Sequence, residues 1–262
     1  MTKTFDGATG DTTGVPESGV LDFTGARVVV VGGSSGIGNG IARAFLARGA
    51  AVTVWGTRAT VADYASEAGS DLSGLDYVQV DVASDEAVAL AAARLDRLDV
   101  LVLSQGKVLY RRAEYAMPGF REVLDVNLSS LMACCAAFHP QLKAAGGKVI
   151  ILSSTAAFHA TRGNPAYAAS KAGAVGLVRT LADAWACDGI RVNGIAPGFV
   201  ATKMTAVTTG DPQRLEAAIR RIPVGRLGTP QDMAGVALFL ASPLSAYVVG
   251  QTIPVDGGLL LN

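Results

Sequence analysis

Short apolar segments recur along the chain, separated by stretches with apolar residues at helical spacing. The seven apolar segments are RVVVVG (27–32), AVTVWG (51–56), DYVQVD (76–81), LDVLVLSQG (98–106), GKVIILSS (147–154), IRVNGIAPG (190–198) and QTIPVDGG (251–258). They are rich in Val and Ile with little polar alternation, a pattern typical of strands covered by helices on both faces of a parallel sheet. The intervening stretches, such as GIARAFLARG, predict those helices. The chain is therefore predicted to be an α/β protein, with a single doubly wound parallel sheet and helices on both faces.

The domain organisation follows from the continuity of this alternation. No linker interrupts it, so we expect one Rossmann-fold domain over residues 23–262. Residues 1–22 are rich in Gly, Thr and Asp without an apolar run, and are predicted to be a flexible N-terminal tail. Residues 200–226 break the rhythm and are a candidate substrate lid. An ordinary surface helix, with Arg214 and Arg220 on its polar face, is an equally open interpretation of that segment.

Composition and charge exclude several classes of function. Half of the residues are hydrophobic and 17% are charged, against about a quarter charged in an average soluble domain, so extensive burial is expected, in a core or between subunits. The 22 basic and 22 acidic residues cancel, which argues against nucleic acid or an anionic membrane as a partner. Cys134, Cys135 and Cys187 lack metal-site spacing. Without a secretory leader or a run of roughly 20 apolar residues, we expect a cytoplasmic protein with no membrane span and no metal.

A glycine-rich turn follows the first predicted strand. It reads VGGSSGIG (31–38) and runs straight into the first predicted helix. Glycines permit a tight turn and a close approach of main-chain N–H groups to phosphate, and a helix N-terminus favours negative charge. Because of its position, the turn predicts a dinucleotide pyrophosphate site, although a plain strand-to-helix turn would use similar residues.

A second cluster carries candidate proton-transfer chemistry. Tyr167 and Lys171 are four residues apart in one predicted helix and share a face. The ammonium group could lower a phenol pKa that is ordinarily about 10, so that the phenol exchanges a proton with an alcohol or carbonyl near neutral pH. Ser154 ends a buried strand, where its hydroxyl could bond a substrate oxygen, and Asn127 adds a polar group in a buried helix.

Together these motifs resemble the short-chain dehydrogenase/reductase family, over residues 24–262. The matching features, in family order, are Gly32-x-x-x-Gly36-x-Gly38, Asp81, Asn127, Ser154, Tyr167-x-x-x-Lys171 and Pro197-Gly198. The resemblance implies that Tyr167 donates and accepts the proton and Ser154 orients the substrate oxygen. It implies that Lys171 holds the nicotinamide ribose and lowers the pKa of the tyrosine, and that Asn127 supports a proton-relaying water.

The resemblance also implies a nicotinamide dinucleotide site along the carboxyl edge of the sheet. The residues expected to contact the cofactor, besides Tyr167 and Lys171, are Gly32, Ser34, Ser35, Gly36, Ile37, Gly38, Asp81, Val82, Gly106, Pro197, Gly198, Val200 and Thr202. His159 and Met204 are candidate substrate contacts. The family often has Thr at the position of Val31. It usually has Asn-Asn-Ala-Gly where this chain has Leu103-Ser104-Gln105-Gly106, so we expect altered stability or cofactor fit there.

The end of the second predicted strand bears on which cofactor is bound. The segment VTVWGTRAT (52–60) has Gly56 where an NAD-selective protein usually places an acid for the ribose 2′-OH. Thr57 and Arg58 instead offer a hydroxyl and a guanidinium suited to a 2′-phosphate. NADP(H) is therefore favoured, with NAD(H) possible. Arg58 pointing into solvent is the alternative.

The predicted function is NAD(P)-dependent oxidoreduction between a secondary alcohol and a ketone, in which the cofactor supplies the redox chemistry. The C-terminal stretch from Arg226 to Gly258 resembles the 3-oxoacyl-carrier-protein reductase branch, which favours a 3-oxoacyl thioester or a related ketone as substrate. Sugar, steroid and small-alcohol dehydrogenases share that ending and remain alternatives. A non-catalytic dinucleotide-binding sensor is the rival class, but it would not need the complete polar set. The family commonly forms homotetramers, and we expect the same here.

Overall fold

The computed structural model describes residues 19–261, so residues 1–18 of the predicted tail lie outside the described residues. All seven predicted strands are present. They are β1 (Arg27–Val31), β2 (Ala51–Gly56), β3 (Asp76–Gln79), β4 (Val100–Leu103), β5 (Lys148–Leu152), β6 (Arg191–Pro197) and β7 (Thr252–Val255). They form one sheet in the order β3-β2-β1-β4-β5-β6-β7, and every neighbouring pair is parallel. The prediction of a doubly wound parallel sheet is confirmed.

Helices cover both faces of this sheet. Their bounds are α1 (Gly36–Leu46), α2 (Asp85–Ala92), α3 (Met117–Leu124), α4 (Ser130–Ala145), α5 (Pro165–Trp185), α6 (Ala206–Thr209), α7 (Pro212–Arg220) and α8 (Pro230–Ala241). Helices α1 and α8 pack together on one face, while α2, α4 and α5 cover the other. Because the central strands β1 and β4 are buried on both faces, they need apolar side chains on both faces, which explains their continuous Val/Leu runs.

Alternate side chains of strand β1 pack into two layers of core, one on each face of the sheet. Val29 and Val31 point into the layer that contains Phe138 of α4. Val28 and Val30 point into the opposite layer, which contains Phe45 of α1. These four valines are at most 1% exposed. A two-layer core of this kind fixes the register of the sheet and hence the place where each strand ends.

The strand order creates a crevice at the carboxyl edge of the sheet. From β1 the chain winds outward through β2 and β3, then returns to place β4 on the other side of β1. Ligands of doubly wound sheets bind where the winding direction changes, outside the carboxyl ends of the strands. The turns after β1, β4, β5 and β6 all open at this edge, so residues far apart in sequence meet there.

Within residues 19–261, no helix combines the length and apolar character needed to cross a membrane.

Candidate active site

A cavity of about 310 Å³ occupies this crevice, within the size range of small-molecule sites. Most of the predicted cofactor residues line it: Gly32, Ser34, Ser35, Gly36, Ile37, Gly38, Thr57, Val82, Gly106, Tyr167, Lys171, Pro197, Gly198, Val200 and Thr202. Ser154 and the candidate substrate contact Met204 line the same cavity. The crevice therefore brings the glycine turn, the tyrosine–lysine pair and the turn after β6 into one site.

The glycine turn is shaped as a cradle that side chains would fill. A Cβ atom at Gly32, where φ is +74°, would lie 2.8 Å from the main-chain nitrogen of Gln105. At Gly38 a Cβ atom would lie 2.3 Å from the carbonyl oxygen of Gly32. Neither position can carry a side chain without moving backbone, so the turn keeps its main chain bare at the start of α1. A bare turn at a helix N-terminus fits the pyrophosphate of a dinucleotide.

Tyr167 and Ser154 form a hydroxyl pair inside the cavity. Ser154 follows β5, and its Oγ accepts a hydrogen bond from the Ala156 N–H at 3.1 Å. Burial raises the pKa of Tyr167 above its ordinary value of 10, although a hydrogen bond with Ser154 acts in the opposite direction. A raised pKa keeps the phenol protonated at neutral pH, the form that can donate a proton to a carbonyl oxygen.

Lys171 differs from the sequence-based expectation in its effect on the tyrosine. Its ammonium nitrogen donates a hydrogen bond to the carbonyl of Leu152 at 2.8 Å and lies 5.7 Å from the centre of the Tyr167 ring. Burial lowers the pKa of Lys171 to about 8, so the ammonium group is still mostly protonated at pH 7. The pKa of Tyr167 is nevertheless raised rather than lowered in this structure, because burial of the phenol is the largest influence on it.

Asn127 lies in a break between two helices. Between α3 and α4 the chain widens into a π-helical turn over Asp125–Ser129, a feature often found at functional sites. The fully buried side chain of Asn127 accepts a hydrogen bond from the Lys107 N–H at 2.7 Å and donates one to the Lys107 carbonyl at 2.8 Å. Its amide also donates to Ser170 Oγ at 3.2 Å. Asn127 thus ties the loop after β4 to helix α5.

Glu114 is a buried residue that the sequence interpretation missed. It is fully inaccessible to solvent, and its carboxylate accepts hydrogen bonds from the Leu109 N–H at 3.0 Å, the Asn164 amide at 3.2 Å and the Tyr167 N–H at 2.9 Å. The last contact caps the first turn of α5, which carries Tyr167. Its neighbours Arg111 and Arg112 are charged, so the sequence of this segment is typical of a solvent-exposed loop. No residue spacing in the sequence distinguishes Glu114 from an exposed glutamate.

The end of β2 explains the absence of an acid at position 56. A Cβ atom on Gly56 would lie 2.6 Å from the Tyr64 hydroxyl and 2.8 Å from Ser34 Oγ. The space next to the strand is therefore filled by two hydroxyl groups, one from the loop after β2 and one from the glycine turn. Gly56 and Thr57 line the cavity beside Ser34, so the cavity wall presents hydroxyl groups here, and none of the described residues that line the cavity is acidic.

Arg58 is the first predicted cofactor residue that does not line the cavity. Its guanidinium forms an ion pair with Glu67, donates to the Asp63 carbonyl and lies 4.4 Å above the centre of the Tyr64 ring. These three contacts draw the side chain away from the crevice. The Arg58 side chain is 34% exposed, and its guanidinium is held by these protein groups rather than extending freely into solvent.

Asp81 and His159 also lie outside the cavity lining. Asp81 is exposed, and its carboxylate accepts a hydrogen bond from the Ala83 N–H at 3.0 Å in the turn after β3, whereas Val80 and Val82 face the cavity. His159 is exposed, with Nδ1 3.1 Å from the carbonyl oxygen of Ala160. It follows the turn after β5 on the outer surface, so the prediction that it touches substrate finds no support in this arrangement.

The altered segment after β4 has its own packing. Gln105 is 6% exposed and donates a hydrogen bond from Nε2 to Ser130 Oγ at 3.0 Å. Its Oε1 has no hydrogen-bond partner in the part of the chain that the structure describes. Gly106 lines the cavity beside Lys171, and a Cβ atom there would lie 3.7 Å from the ammonium nitrogen, an ordinary van der Waals distance. Leu103 and Ser104 thus stand at the two asparagine positions, and Gln105, at the alanine position, reaches helix α4.

Residues 200–226 begin at the cavity and end away from it. Thr202, Lys203, Met204 and Thr205 line the cavity, and Tyr110 donates a hydrogen bond to the Met204 carbonyl. Helices α6 and α7 follow, and Ile222 beyond them is 4% exposed. The segment therefore covers the cavity with its first residues and is anchored in the core at its far end.

The comparisons with known proteins agree with this geometry. The sequence profile of the family described as “Enoyl-(Acyl carrier protein) reductase” matches residues 31–260. The chain belongs to the short-chain dehydrogenase/reductase family. Accordingly, it is an NAD(P)-dependent oxidoreductase that interconverts secondary alcohols and ketones.

Three relatives of this short-chain dehydrogenase/reductase illustrate the range of similar proteins. The 3-oxoacyl-[acyl-carrier-protein] reductase of Chlamydia pneumoniae is 38% identical over 91% of this chain and 98% of its own. The 2-dehydro-3-deoxy-D-gluconate 5-dehydrogenase of Bacillus subtilis is 37% identical over 92% and 96%. A putative NAD(P)-dependent gluconate 5-dehydrogenase from Beutenbergia cavernae, solved with bound NADP, is 39% identical, with a TM-score of 0.83 over 93% of this chain and all of its own.

Proposed function

We propose that the chain reduces a ketone to a secondary alcohol with NADPH, and catalyses the reverse reaction with NADP, using Tyr167 as the general acid and base. The observation that carries this proposal is that Tyr167 and Ser154 line one cavity beside the buried Lys171, and that this cavity begins at the glycine turn. A bound nicotinamide supplies or accepts the hydride. Side chains of the protein bind the substrate oxygen, transfer the proton and hold the cofactor.

Proton transfer in this proposal depends on four side chains. The Ser154 hydroxyl bonds the carbonyl oxygen, and the protonated Tyr167 phenol donates its proton to that oxygen as negative charge develops there. Lys171 holds the nicotinamide ribose with the N–H groups that the Leu152 carbonyl does not use. Asn127 fixes the loop after β4 and supports the water through which Lys171 exchanges protons with solvent.

The proposed nucleotide site follows the carboxyl edge of the sheet. The pyrophosphate would lie on main-chain N–H groups of the turn at residues 32–38. Val82 and the neighbouring Asp81 would border the adenine. Val200 and Thr202 would contact the carboxamide, and Pro197 and Gly198 would shape the turn before them. NADP(H) is preferred because Ser34, Thr57 and the adjacent Arg58 offer hydroxyl and guanidinium donors to a 2′-phosphate. A carboxylate that would favour NAD(H) is sterically excluded from position 56.

We propose a 3-oxoacyl thioester or a related ketone as the substrate, in line with the carrier-protein reductase relative. A specific observation favours a sugar acid as the second candidate. Arg111 and Arg112 follow Tyr110 on the loop that contacts Met204, and both have positive φ angles, of 56° and 61°. The ion pairs within residues 19–261 do not include these two arginines. They leave positive charge at the rim of the site, as recognition of a substrate carboxylate would require.

The proposal extends to the assembly and to the lid. Residues 200–226 act as the substrate lid, with Met204 contacting substrate, and the chain works as a cytoplasmic homotetramer.

The test of the reaction is to mix the purified protein with NADPH and each member of a ketone panel, and to follow the absorbance of the reduced nicotinamide. The panel contains 3-oxoacyl thioesters, keto-sugar acids, ketosteroids and small neutral ketones. Turnover of at least one class is expected. NADPH binding without turnover of any ketone would support the non-catalytic sensor instead.

A further inference from the structure

The carboxylate of Glu67 lies between two cations from distant parts of the chain. One Glu67 oxygen forms an ion pair with the guanidinium of Arg58, and the same oxygen lies 3.3 Å from the ammonium nitrogen of Lys203. The Glu67 side chain is 14% exposed, whereas Lys203 is 70% exposed. Burial reduces the screening of such a contact by water, so the pairing of Arg58 with Glu67 is stronger than an ordinary surface ion pair.

This three-residue cluster bridges the two walls of the nucleotide cavity. Lys203 lines the cavity from the segment after β6, and Thr57, next to Arg58, lines it from the end of β2. Two residues after Glu67, the carbonyl of Gly69 accepts a hydrogen bond from the N–H of Gly36, in the glycine turn, at 3.0 Å. The carboxylate is therefore held beside the turn, where the β2 end and the segment after β6 face each other across the crevice.

The cluster also accounts for the position of Arg58. The guanidinium turns away from the cavity because Glu67, the Asp63 carbonyl and the ring of Tyr64 all hold it. A phosphate and a carboxylate bind the same guanidinium donors. An anionic group on the adenosine ribose must therefore compete with Glu67 before it can engage Arg58.

We propose that Glu67 is a specificity-determining residue, which sets the preference between NADP(H) and NAD(H) by competing with the 2′-phosphate for Arg58 and Lys203. This inference rests on the proposed function, since it concerns the same nucleotide site. The two nucleotides share a pyrophosphate and differ by a phosphate that carries about −1.5 to −2 charge. Removing the negative charge of Glu67 frees Lys203 and leaves Arg58 held only by the neutral Asp63 carbonyl and Tyr64 ring, so it strengthens the binding of NADPH more than that of NADH.

A purely structural role for the cluster predicts a different result. If the ion pairs only brace residues 57–69 against Lys203, neutralising Glu67 loosens both walls of the cavity. The walls contact parts that the two nucleotides have in common, so binding of both weakens by a similar factor. The ratio of the two dissociation constants therefore separates the inference from simple bracing.

The test is titration of the full-length Glu67→Gln protein with NADPH and with NADH, without substrate, by nicotinamide fluorescence. We expect the Kd for NADPH to fall about tenfold, and the Kd for NADH to change by less than about twofold. Glu86→Gln is the matched control, because Glu86 is an exposed carboxylate in the first turn of α2 and does not line the cavity. It should leave both values unchanged.

Two further variants keep the inference open to refutation. Glu67→Ser removes the same charge with a smaller side chain, and provides the same comparison should the glutamine variant fail to fold. In the double variant Glu67→Gln/Arg58→Ala, the gain in NADPH affinity should be lost. An equal change for both nucleotides, or weaker NADPH binding in the neutral variants, overturns the inference alone. A wild-type protein that binds neither nucleotide overturns the proposed function together with it.

Discussion

Glu114 accepts a hydrogen bond from the main-chain N–H of Tyr167 at 2.9 Å, and so links a fully buried carboxylate to the candidate proton donor. The same carboxylate accepts bonds from the Asn164 amide and the Leu109 N–H, which tie the loop after β4 to the start of α5. The position of the phenol therefore depends on a residue that would not touch substrate.

Glu114→Gln should lower kcat by about ten- to a hundredfold, because displacing a reacting group by about 1 Å costs on this scale. The Glu114 carboxylate accepts hydrogen bonds from three donors, whereas a glutamine amide has only one acceptor oxygen. At least one of these bonds is therefore lost or weakened, and the first turn of α5 shifts. Steady-state kinetics with a ketone substrate measure the effect, and Kd for NADPH should change little. Glu122→Gln, at an exposed residue of α3, is the control for removing a nearby carboxylate. Unchanged kcat in a folded Glu114→Gln protein would show that Glu114 does not position Tyr167.

Gly56→Asp should fail to convert the protein to NAD(H). The new side chain would collide with the Tyr64 and Ser34 hydroxyls, and overpacking of this kind destabilises a protein by about 1–3 kcal/mol. Thermal unfolding should show the loss, with weaker binding of both nucleotides. The matched variant is Thr57→Asp, at the exposed next position. It should weaken NADPH on the order of tenfold through charge repulsion and leave NADH binding intact. A stable Gly56→Asp protein that gains NADH affinity would contradict this account of the corner.

Lys171→Met should abolish most turnover and yet stabilise the fold at pH 7. Burial lowers the pKa of Lys171 from 10.5 to about 8, which corresponds to about 3–4 kcal/mol against the charged form at about 1.4 kcal/mol for each pH unit. The lost hydrogen bond from the ammonium group to the Leu152 carbonyl costs about 1.5–3 kcal/mol, so a net gain of up to about 2 kcal/mol in the free energy of unfolding remains. Lys143→Met, an exposed lysine paired with Asp188, should change stability by less than about 1 kcal/mol.

The sign of the pH dependence follows from the same shift. The unfolded chain binds the lysine proton more readily than the folded chain between pH 8 and 10.5, so Lys171 makes the wild-type protein gain stability as the pH rises through that window. The advantage of Lys171→Met over wild type in denaturant unfolding should therefore shrink from about pH 8 to 10.5. A constant advantage, or none at pH 7, would show that the charge of Lys171 is not costly in the fold.

Some features of the fold and the site were predictable from the sequence, and others were not. The strands were predictable because burial on both faces demands unbroken apolar runs, as in Val28 to Val31. The set of Asn127, Ser154, Tyr167 and Lys171 was predictable from the spacing of a family motif. Glu114 was not, because its burial depends on donors from Leu109, Asn164 and Tyr167 that only the tertiary fold brings together.

The cofactor corner was predicted only in part. The sequence shows that position 56 carries no acid. It does not show the reason, which is that the Tyr64 and Ser34 hydroxyls, from two different loops, fill the space next to Gly56. The pairing of Arg58 with Glu67, nine residues later, was also hidden. Both charges lie in a segment without helical or strand periodicity, and nothing local specifies where such side chains point.

The most direct test of the central claim is the ketone reduction rate of Tyr167→Phe, measured together with its Kd for NADPH. Phenylalanine keeps the ring and removes the proton donor, so kcat should fall about a hundred- to ten-thousandfold. The Kd for NADPH should stay within about threefold of wild type. Tyr247→Phe, at a fully exposed tyrosine, should retain full activity. A folded Tyr167→Phe protein that reduces the ketone at the wild-type rate would contradict the assignment of Tyr167 as the proton donor.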